Sequence, residues 1–217
     1  MLRTQFEDDL NRLHNKFYAM GTQVSAQLNK AVRAFVSHDR DLAEEVIAGD
    51  LEINEQEKKL EVQSLEMIAL QQPVSSDLRT IVTVLKASSD LERMGDHVAS
   101  IAKATIHLKG EERIFEAEED ISLLGEKVKS IVDASLNAYI QGDDERAREI
   151  AAQQVTVKEM NHEIENKILE AMKENSETIT TGKEYLLTLV YLERIVGYAI
   201  NLCEWIVYLN SGNIIEL

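Results

Sequence analysis

The sequence predicts an all-α protein made of two tandem, pseudo-symmetric antiparallel three-helix bundles. One Pro and nine Gly among 217 residues leave little material for turns or strand edges. Apolar residues recur at steps of three and four over long stretches, which is typical of amphipathic helices. The turn signals and motifs of the first half recur in the second half. Together these observations favour two copies of one helical unit.

The first helix is predicted by a long row of apolar residues on one face. The row begins near the start of the chain and is interrupted by the segment "SHDRD" at residues 37–41, which indicates an end followed by a new cap. Its members are Phe6, Leu10, Leu13, Phe17, Met20, Val24, Leu28, Val32 and Phe35.

The second and third helices are predicted to form an antiparallel hairpin. The second helix runs from about Asp39 to Gln71. Pro73 in "QQPVSSD" cannot continue it, and the two serines and the aspartate that follow can cap the next helix. The third helix reaches Leu108 and ends at Gly110.

The boundary between the two units is predicted near residues 109–116. The segment "GEERIFEAEED" that begins at Gly110 has no strong apolar period, which indicates a polar connector that becomes helical toward its end. The first repeat is therefore expected to span residues 1–110 and the second residues 111–217.

The second unit is predicted to contain three helices in the same order. The fourth helix leads to "QGDD" at residues 141–144, where glycine terminates it and aspartate caps the next. The fifth helix continues to about Glu174. After the turn "NSETITTGK", the sixth closes at Ser211 and Gly212.

Two alignments indicate an internal duplication. The segment "AFVSHDRDLAEEV" at Ala34 matches "AYIQGDDERAREI" at Ala138, with the turn at the same place. In the last helix of each unit, "LERMGDHVASI" at Leu91 matches "LERIVGYAINL" at Leu192. The second copy of that motif has lost the aspartate.

The lost aspartate belongs to a predicted metal site in the first unit. Glu92 and Asp96 are four residues apart on one helix face, as are Asp50 and Asn54 on the preceding helix. In an antiparallel hairpin folded about Pro73 these side chains come level, roughly 30 Å from the turn. Four oxygen-bearing groups suit a hard or borderline cation such as Mg, Ca, Mn or Fe. A solvated acidic helix face is the competing interpretation.

The second unit is predicted to hold no metal. The equivalent positions are Gln154, Lys158, Glu193 and Gly197, so a single carboxylate remains and an ammonium group stands beside it. We expect an ion pair between Lys158 and Glu193 in place of a cation. A divalent or ferric ion (Fe, Zn, Mg or Mn) is therefore expected at the first repeat only.

Charge and motif content argue against several functions. A formal charge of −16 disfavours contact with a phosphate backbone, which argues against nucleic acid. The apolar stretch from Tyr185 to Leu209 contains charged residues, which indicates a packed helix rather than a membrane span. Cys203 is expected to be a buried thiol in a reducing compartment. The single Glu159-x-x-His162 pattern lacks the partner that a di-iron enzyme needs.

The sequence resembles the PhoU family, regulators of phosphate-specific transport, over essentially its whole length. The resemblance lies in "QQPVSSDLRTI" and "DLERMGDH" of the first unit and in "YLERIVGYAINLCEWIVYL" of the second. It implies two three-helix bundles, a cytoplasmic location, no catalytic reaction, and restraint of phosphate uptake. The implied partners are the ATPase subunit of the phosphate ABC transporter and a sensor histidine kinase, and a homodimer is a further expectation.

The resemblance also bears on the metal site. Some members of this family bind multinuclear metal clusters through E/D-x-x-x-D motifs, which correspond to Asp50 with Asn54 and to Glu92 with Asp96. The second unit departs from both motifs. A metal-dependent enzyme or a metal-storage helical bundle is the alternative function, although no phosphate-binding loop, zinc-protease motif or nucleophile elbow is present.

Overall fold

The computed structural model describes the backbone of residues 2–217 and the side chains from Gln5 onward. This described part is helical with no strand, as the sequence predicts. The α-helices are α1 (Leu2–Ser37), α2 (Arg40–Gln71), α3 (Ser76–His107), α4 (Phe115–Gln141), α5 (Asp144–Ala151), α6 (Gln154–Glu174) and α7 (Ile179–Ser211), with a 3₁₀ turn at Ser176–Thr178 before α7.

Equivalent turns begin the second helix of each unit, and their chemistry is the predicted one. Asp39 caps α2 by accepting a hydrogen bond from the backbone N–H of Leu42 at 3.0 Å. Asp143 caps α5 in the same way, accepting from the N–H of Arg146 at 2.9 Å. Gly142 ends α4 with a positive φ of 63°, a conformation that glycine adopts without steric cost.

The prediction for the turn at Pro73 is only partly correct. Helix α2 ends at Gln71, and Gln72 adopts the left-handed conformation with φ 49°. Ser75 occupies the N-cap position of α3, but its side chain makes no capping hydrogen bond. The start of α3 therefore does not depend on the serine cap that the sequence suggested.

The predicted fifth helix is broken into α5 and α6, which corrects the sequence interpretation. The break lies at residues 152–153, where the N–H of Gln153 bonds to the carbonyl of Ile150 at 3.0 Å and tightens the turn. The side chain of Gln153 also accepts a hydrogen bond from Lys127 of α4 at 2.8 Å. A tertiary contact thus accompanies the bend in a segment without Gly or Pro.

The two units pack through equivalent helices, α1 against α4 and α3 against α7. At the first of these interfaces the contacts are reciprocal. A Cβ at Gly21 would overlap the side chain of Leu136, and a Cβ at Gly125 would overlap that of Val32. One shift of 104 residues converts 21 to 125 and 32 to 136. This i-to-j, j-to-i pattern is the mark of a twofold relation and confirms the predicted pseudo-symmetry.

A buried carboxylate joins the connector to both units. The Glu118 side chain is only 3% exposed, and His38 Nε2 lies 2.8 Å from one of its oxygens. Arg113 Nε donates to both oxygens at 3.0 and 3.1 Å, and the Tyr185 hydroxyl donates to the same group. Arg113 also donates to the Val36 carbonyl at 2.8 Å. These partners offset the cost of burying the charge and fasten the end of α1 to α4 and α7.

Helix α7 is the most apolar element of the chain. The segment Ser176–Ser211 is long and apolar enough to cross a membrane by length and composition, with a mean hydropathy of 1.4 over its most apolar window. Half of that window is buried in the protein, and α7 contacts α3, α4, α5 and α6. Cys203 lies fully buried on this helix, as predicted, and burial raises the pKa of its thiol to about 12.

Candidate metal centre and its counterpart in the second unit

The α2–α3 hairpin brings the carboxylates of the predicted metal site into electrostatic contact. Asp50 and Asn54 lie on α2, and Glu92 and Asp96 lie on α3. Burial raises the pKa of Asp50, and the negative charge of Asp96 on the opposite helix raises it further. The Lys103 ammonium and the Asn54 side chain act in the opposite direction. The two helices therefore align Asp50 with Asp96, as the equal distances from Pro73 predict.

Glu92 experiences the same crowding of negative charge. Burial is the largest cause of its raised pKa, followed by the charges of Asp96, Glu57 and Asp50, with Arg93 acting in the opposite direction. Like charges at this spacing repel one another, and a cation placed among them would turn the repulsion into attraction.

Two oxygen atoms of the predicted quartet are buried without a hydrogen-bond partner. They are Oδ1 of Asp50 and Oδ1 of Asn54, which belong to adjacent turns of α2. Gly95 lies against this part of α2, since a Cβ at this position would be in tight contact with Ile53 at 3.2 Å and in ordinary contact with Asp50 Oδ1 at 3.4 Å. An unpaired buried acceptor is costly, and a metal ion or a bound water would supply the missing partner. The oxygen-only donor set fits a hard cation.

The four side chains do not form a closed ligand shell. Within residues 5–217, no group of three or more His, Cys, Asp or Glu side chains is arranged to hold a metal ion. A bound ion would therefore draw the carboxylates of Glu92 and Asp96 toward α2, with external oxygens completing its shell. Metal binding at Asp50, Asn54, Glu92 and Asp96 stays a prediction.

Two neighbours of the quartet shape its surroundings. His97 directly follows Asp96 and is half-buried. Its ring stacks on Tyr191 and Tyr198 of α7, with ring centroids 5.7 and 5.8 Å apart. Glu57 was not predicted, yet its charge reaches Glu92. The sequence could have predicted this contribution, because Glu57 lies two helical turns after Asp50 on the same face of α2.

The second unit brings its four equivalent residues together in one open groove. Gln154 and Lys158 of α6 and Glu193 and Gly197 of α7 all line this groove, which has a volume of about 500 Å³. The expected ion pair is not formed, because Lys158 and Glu193 do not approach within 4.0 Å. Instead, Glu193 accepts a hydrogen bond from the amide of Asn161 at 3.2 Å.

Two equivalent three-helix units, with an acidic hairpin in the first and an altered counterpart in the second, define an internally duplicated helical-bundle protein. A family model described as the PhoU domain matches this chain twice, over residues 17–105 and 121–206. The chain belongs to the PhoU family.

Curated relatives match along the whole chain. It is 34% identical over 216 residues to a phosphate-specific transport system accessory protein PhoU homolog of Streptococcus pneumoniae, and the match covers 100% of both chains. It is 35% identical over 218 residues to the homolog of Clostridium acetobutylicum, covering 100% of this chain and 99% of the relative.

Solved structures share the fold. The crystal structure of the phosphate transport system regulatory protein PhoU from Streptococcus pneumoniae superposes with a TM-score of 0.91 at 33% identity, covering 98% of this chain and 100% of that one. The crystal structure of PhoU from Pseudomonas aeruginosa gives a TM-score of 0.91 at 30% identity, covering 96% and 100%. The predicted fold class is therefore confirmed.

Proposed function

We propose that this protein is a cytoplasmic negative regulator of phosphate uptake. In this role it acts as an adaptor between the ATPase subunit of the phosphate ABC transporter and a sensor histidine kinase. The observation that supports the proposal is membership of the PhoU family over the full length of the chain. Its relatives are named as accessory and regulatory proteins of phosphate transport.

Regulation by protein binding requires an accessible surface rather than a reaction centre. Apolar side chains beside the α2–α3 turn are available for this, since Leu70 is 81% exposed and Val74 is 74% exposed. Exposed apolar residues that are close together favour contact with a partner. The high negative charge disfavours nucleic acid as that partner.

A metal ion at the first repeat is part of this proposal. Asp50, Asn54, Glu92 and Asp96 would hold Fe, Zn, Mg or Mn, and the unpartnered oxygens on α2 support this assignment. The bound cation would neutralise the carboxylates and cross-link α2 to α3. Its role is therefore to stabilise the hairpin in one conformation.

Deletion of the gene tests the regulatory function. We expect the deletion strain to take up more phosphate, or to express phosphate-starvation genes, when phosphate is plentiful, because the restraint on the transporter is lost. The intact gene supplied in trans is the control and should restore repression. Unchanged uptake and unchanged gene expression, in a strain without a second copy, would refute the proposal.

Partner capture combined with elemental analysis separates the adaptor from the alternative functions. An adaptor should retain the transporter ATPase or the sensor kinase when it is isolated from cells grown in high phosphate. A metal-dependent enzyme or a metal-storage bundle should instead retain metal without these partners. Cell fractionation of the same cultures should place the adaptor in the cytoplasm or at the inner face of the membrane.

A further inference from the structure

The groove of the second unit occupies the position that corresponds to the acidic site of the first. The four residues of the first site, Asp50, Asn54, Glu92 and Asp96, have a formal charge of −3. Their equivalents in the groove have a formal charge of zero, because a lysine has replaced the asparagine and two aspartates have been lost. Arg194 also lines the groove, so the groove as a whole has a net positive charge.

Four hydrogen-bond donors line this groove and have no partner among the described residues. They are the Lys158 ammonium, the Arg194 guanidinium, the Gln154 amide and the Tyr198 hydroxyl. A guanidinium and an ammonium recognise tetrahedral oxyanions through charge-assisted hydrogen bonds, and amide and hydroxyl groups complete such sites. The donor chemistry of the groove is therefore that of an anion site.

Gly197 leaves space for a ligand at the position where Asp96 stands in the first unit. A Cβ at Gly197 would meet no atom within 4 Å, whereas one at Gly95 or Gly125 would meet neighbouring side chains. The groove volume of about 500 Å³ lies within the range of small-molecule sites, roughly 300–1,000 Å³. The lost aspartate thus removed a negative charge and left its place open.

Glu193 and Asn201 also line this groove, and each makes a hydrogen bond with a residue outside it. The Glu193 carboxylate accepts the hydrogen bond from Asn161, which lies at its buried side. The Asn201 amide donates to Asp90 at 3.1 Å, in the direction of the neighbouring groove. The Glu193 carboxylate keeps its charge when it accepts the hydrogen bond from Asn161, and the two cations of the groove outweigh it.

We propose that the groove of Gln154, Lys158, Arg194 and Tyr198 binds a small oxyanion of the phosphate class. The ligand is either inorganic phosphate or the phosphate group of a small organic phosphomonoester. The site is independent of the adaptor role and of metal binding in the first unit. It gives the chain a direct means of detecting the anion whose transport its relatives serve.

Calorimetric titration of the full chain with inorganic phosphate tests the proposal. Treating the protein with a chelator beforehand removes any metal through which phosphate could bind to the first unit. We expect one phosphate per chain. Lys158→Gln and Arg194→Gln should each weaken binding about tenfold or more, because each removes a charge-assisted hydrogen bond. Gly197→Asp should abolish binding by returning a carboxylate to the groove.

Lys173→Gln is the matched control, because Lys173 lies on the same helix as Lys158, has the same charge and is likewise exposed. It does not line the groove and lies about four helical turns further along α6, so its loss should change phosphate affinity by no more than about twofold. Absence of binding to the wild type at millimolar phosphate would overturn the proposal. Equal binding by the wild type, Lys158→Gln and Gly197→Asp would also overturn it.

A second titration, with adenosine 5′-monophosphate, identifies the source of the anion. Tighter binding than that of inorganic phosphate, with the same loss in Lys158→Gln, assigns the groove to organic phosphomonoesters. Weaker or equal binding assigns it to inorganic phosphate. Circular dichroism of each variant establishes that it is folded, and the exposed positions of Lys158 and Arg194 make folding of these variants the expected result.

Discussion

Replacing Gly125 by alanine should force α1 and α4 apart. A Cβ at this position lies 2.6 and 2.7 Å from the two γ-carbons of Val32 and 3.2 Å from its Cβ. Carbon atoms in favourable contact are roughly 3.5–4.0 Å apart, so the overlap is about 1 Å. Val32 cannot rotate away easily, because a β-branched residue in a helix has one strongly preferred χ1 rotamer. The backbone of one helix must move instead.

We expect Gly125→Ala to lower the free energy of unfolding by about 1–2 kcal/mol. Overpacking a core contact typically costs about 1–3 kcal/mol, and alanine recovers roughly 0.5–1 kcal/mol because it is a better helix former than glycine. Gly197→Ala is the matched control, since a Cβ there meets no atom within 4 Å. That variant retains only the helix-forming gain and should be more stable than the wild type by about 0.5–1 kcal/mol.

Thermal unfolding followed by circular dichroism measures both changes. For a chain of this length, 1 kcal/mol corresponds to about 2–4 °C in Tm, so Gly125→Ala should lower Tm by several degrees while Gly197→Ala raises it. Val32→Ala removes the γ-carbons and should rescue Gly125→Ala, which appears as a coupling energy in the double-mutant cycle. A stable Gly125→Ala variant with additive behaviour would refute the close approach of the two units.

Three further predictions concern the metal, its removal and pH. Asp96→Ala should lower bound metal per chain substantially, whereas Glu193→Ala should leave it nearly unchanged. Anomalous diffraction at a metal edge locates the ion, and a peak beside Glu193 with none beside Asp96 would contradict this prediction. Metal at a hundred times its Kd should raise the free energy of unfolding by about 2.7 kcal/mol. This is measured as an increase in Tm that a chelator reverses. A Tm that does not change when metal is added argues against the site. Burial lowers the pKa of His14 below its ordinary value of 6.5. The folded chain therefore binds this proton less readily than the unfolded chain, and stability should fall as the pH drops from 6.5 through the lowered pKa. The midpoint of urea unfolding should depend less on pH in His14→Gln than in the wild type. The control His162→Gln, at an exposed site, should behave like the wild type. If the profiles of His14→Gln and the wild type coincide, His14 does not contribute.

Helix ends with local turn chemistry were predictable from the sequence. Asp39, Gly142 and Asp143 lie where the predicted turns fall, because capping depends on residues that are adjacent in the chain. The break at residues 152–153 was not predictable, because no Gly or Pro marks it. It accompanies a contact with Lys127, which is remote in sequence.

The same distinction applies to the candidate sites. The approach of Asp50 and Asp96 follows from a constant rise per residue on either side of Pro73, so counting residues was enough to predict it. Glu57 could have been found in the same way, because it lies two helical turns after Asp50 on the same face of α2, and its charge reaches Glu92. The Glu118 cluster was missed because its partners come from separate segments of the chain.

The reciprocal packing of α1 against α4 makes the protein equivalent to a dimer whose two subunits share one polypeptide. In a dimer of identical chains, any substitution appears at both members of an equivalent pair, so two different sites cannot arise at related positions. A covalent link between the halves removes that restriction. One half can therefore keep the carboxylates of Asp50, Glu92 and Asp96 while the other acquires Lys158 and an open Gly197. The single chain therefore combines two different halves in a fixed one-to-one ratio, as a heterodimer does, without having to select a partner.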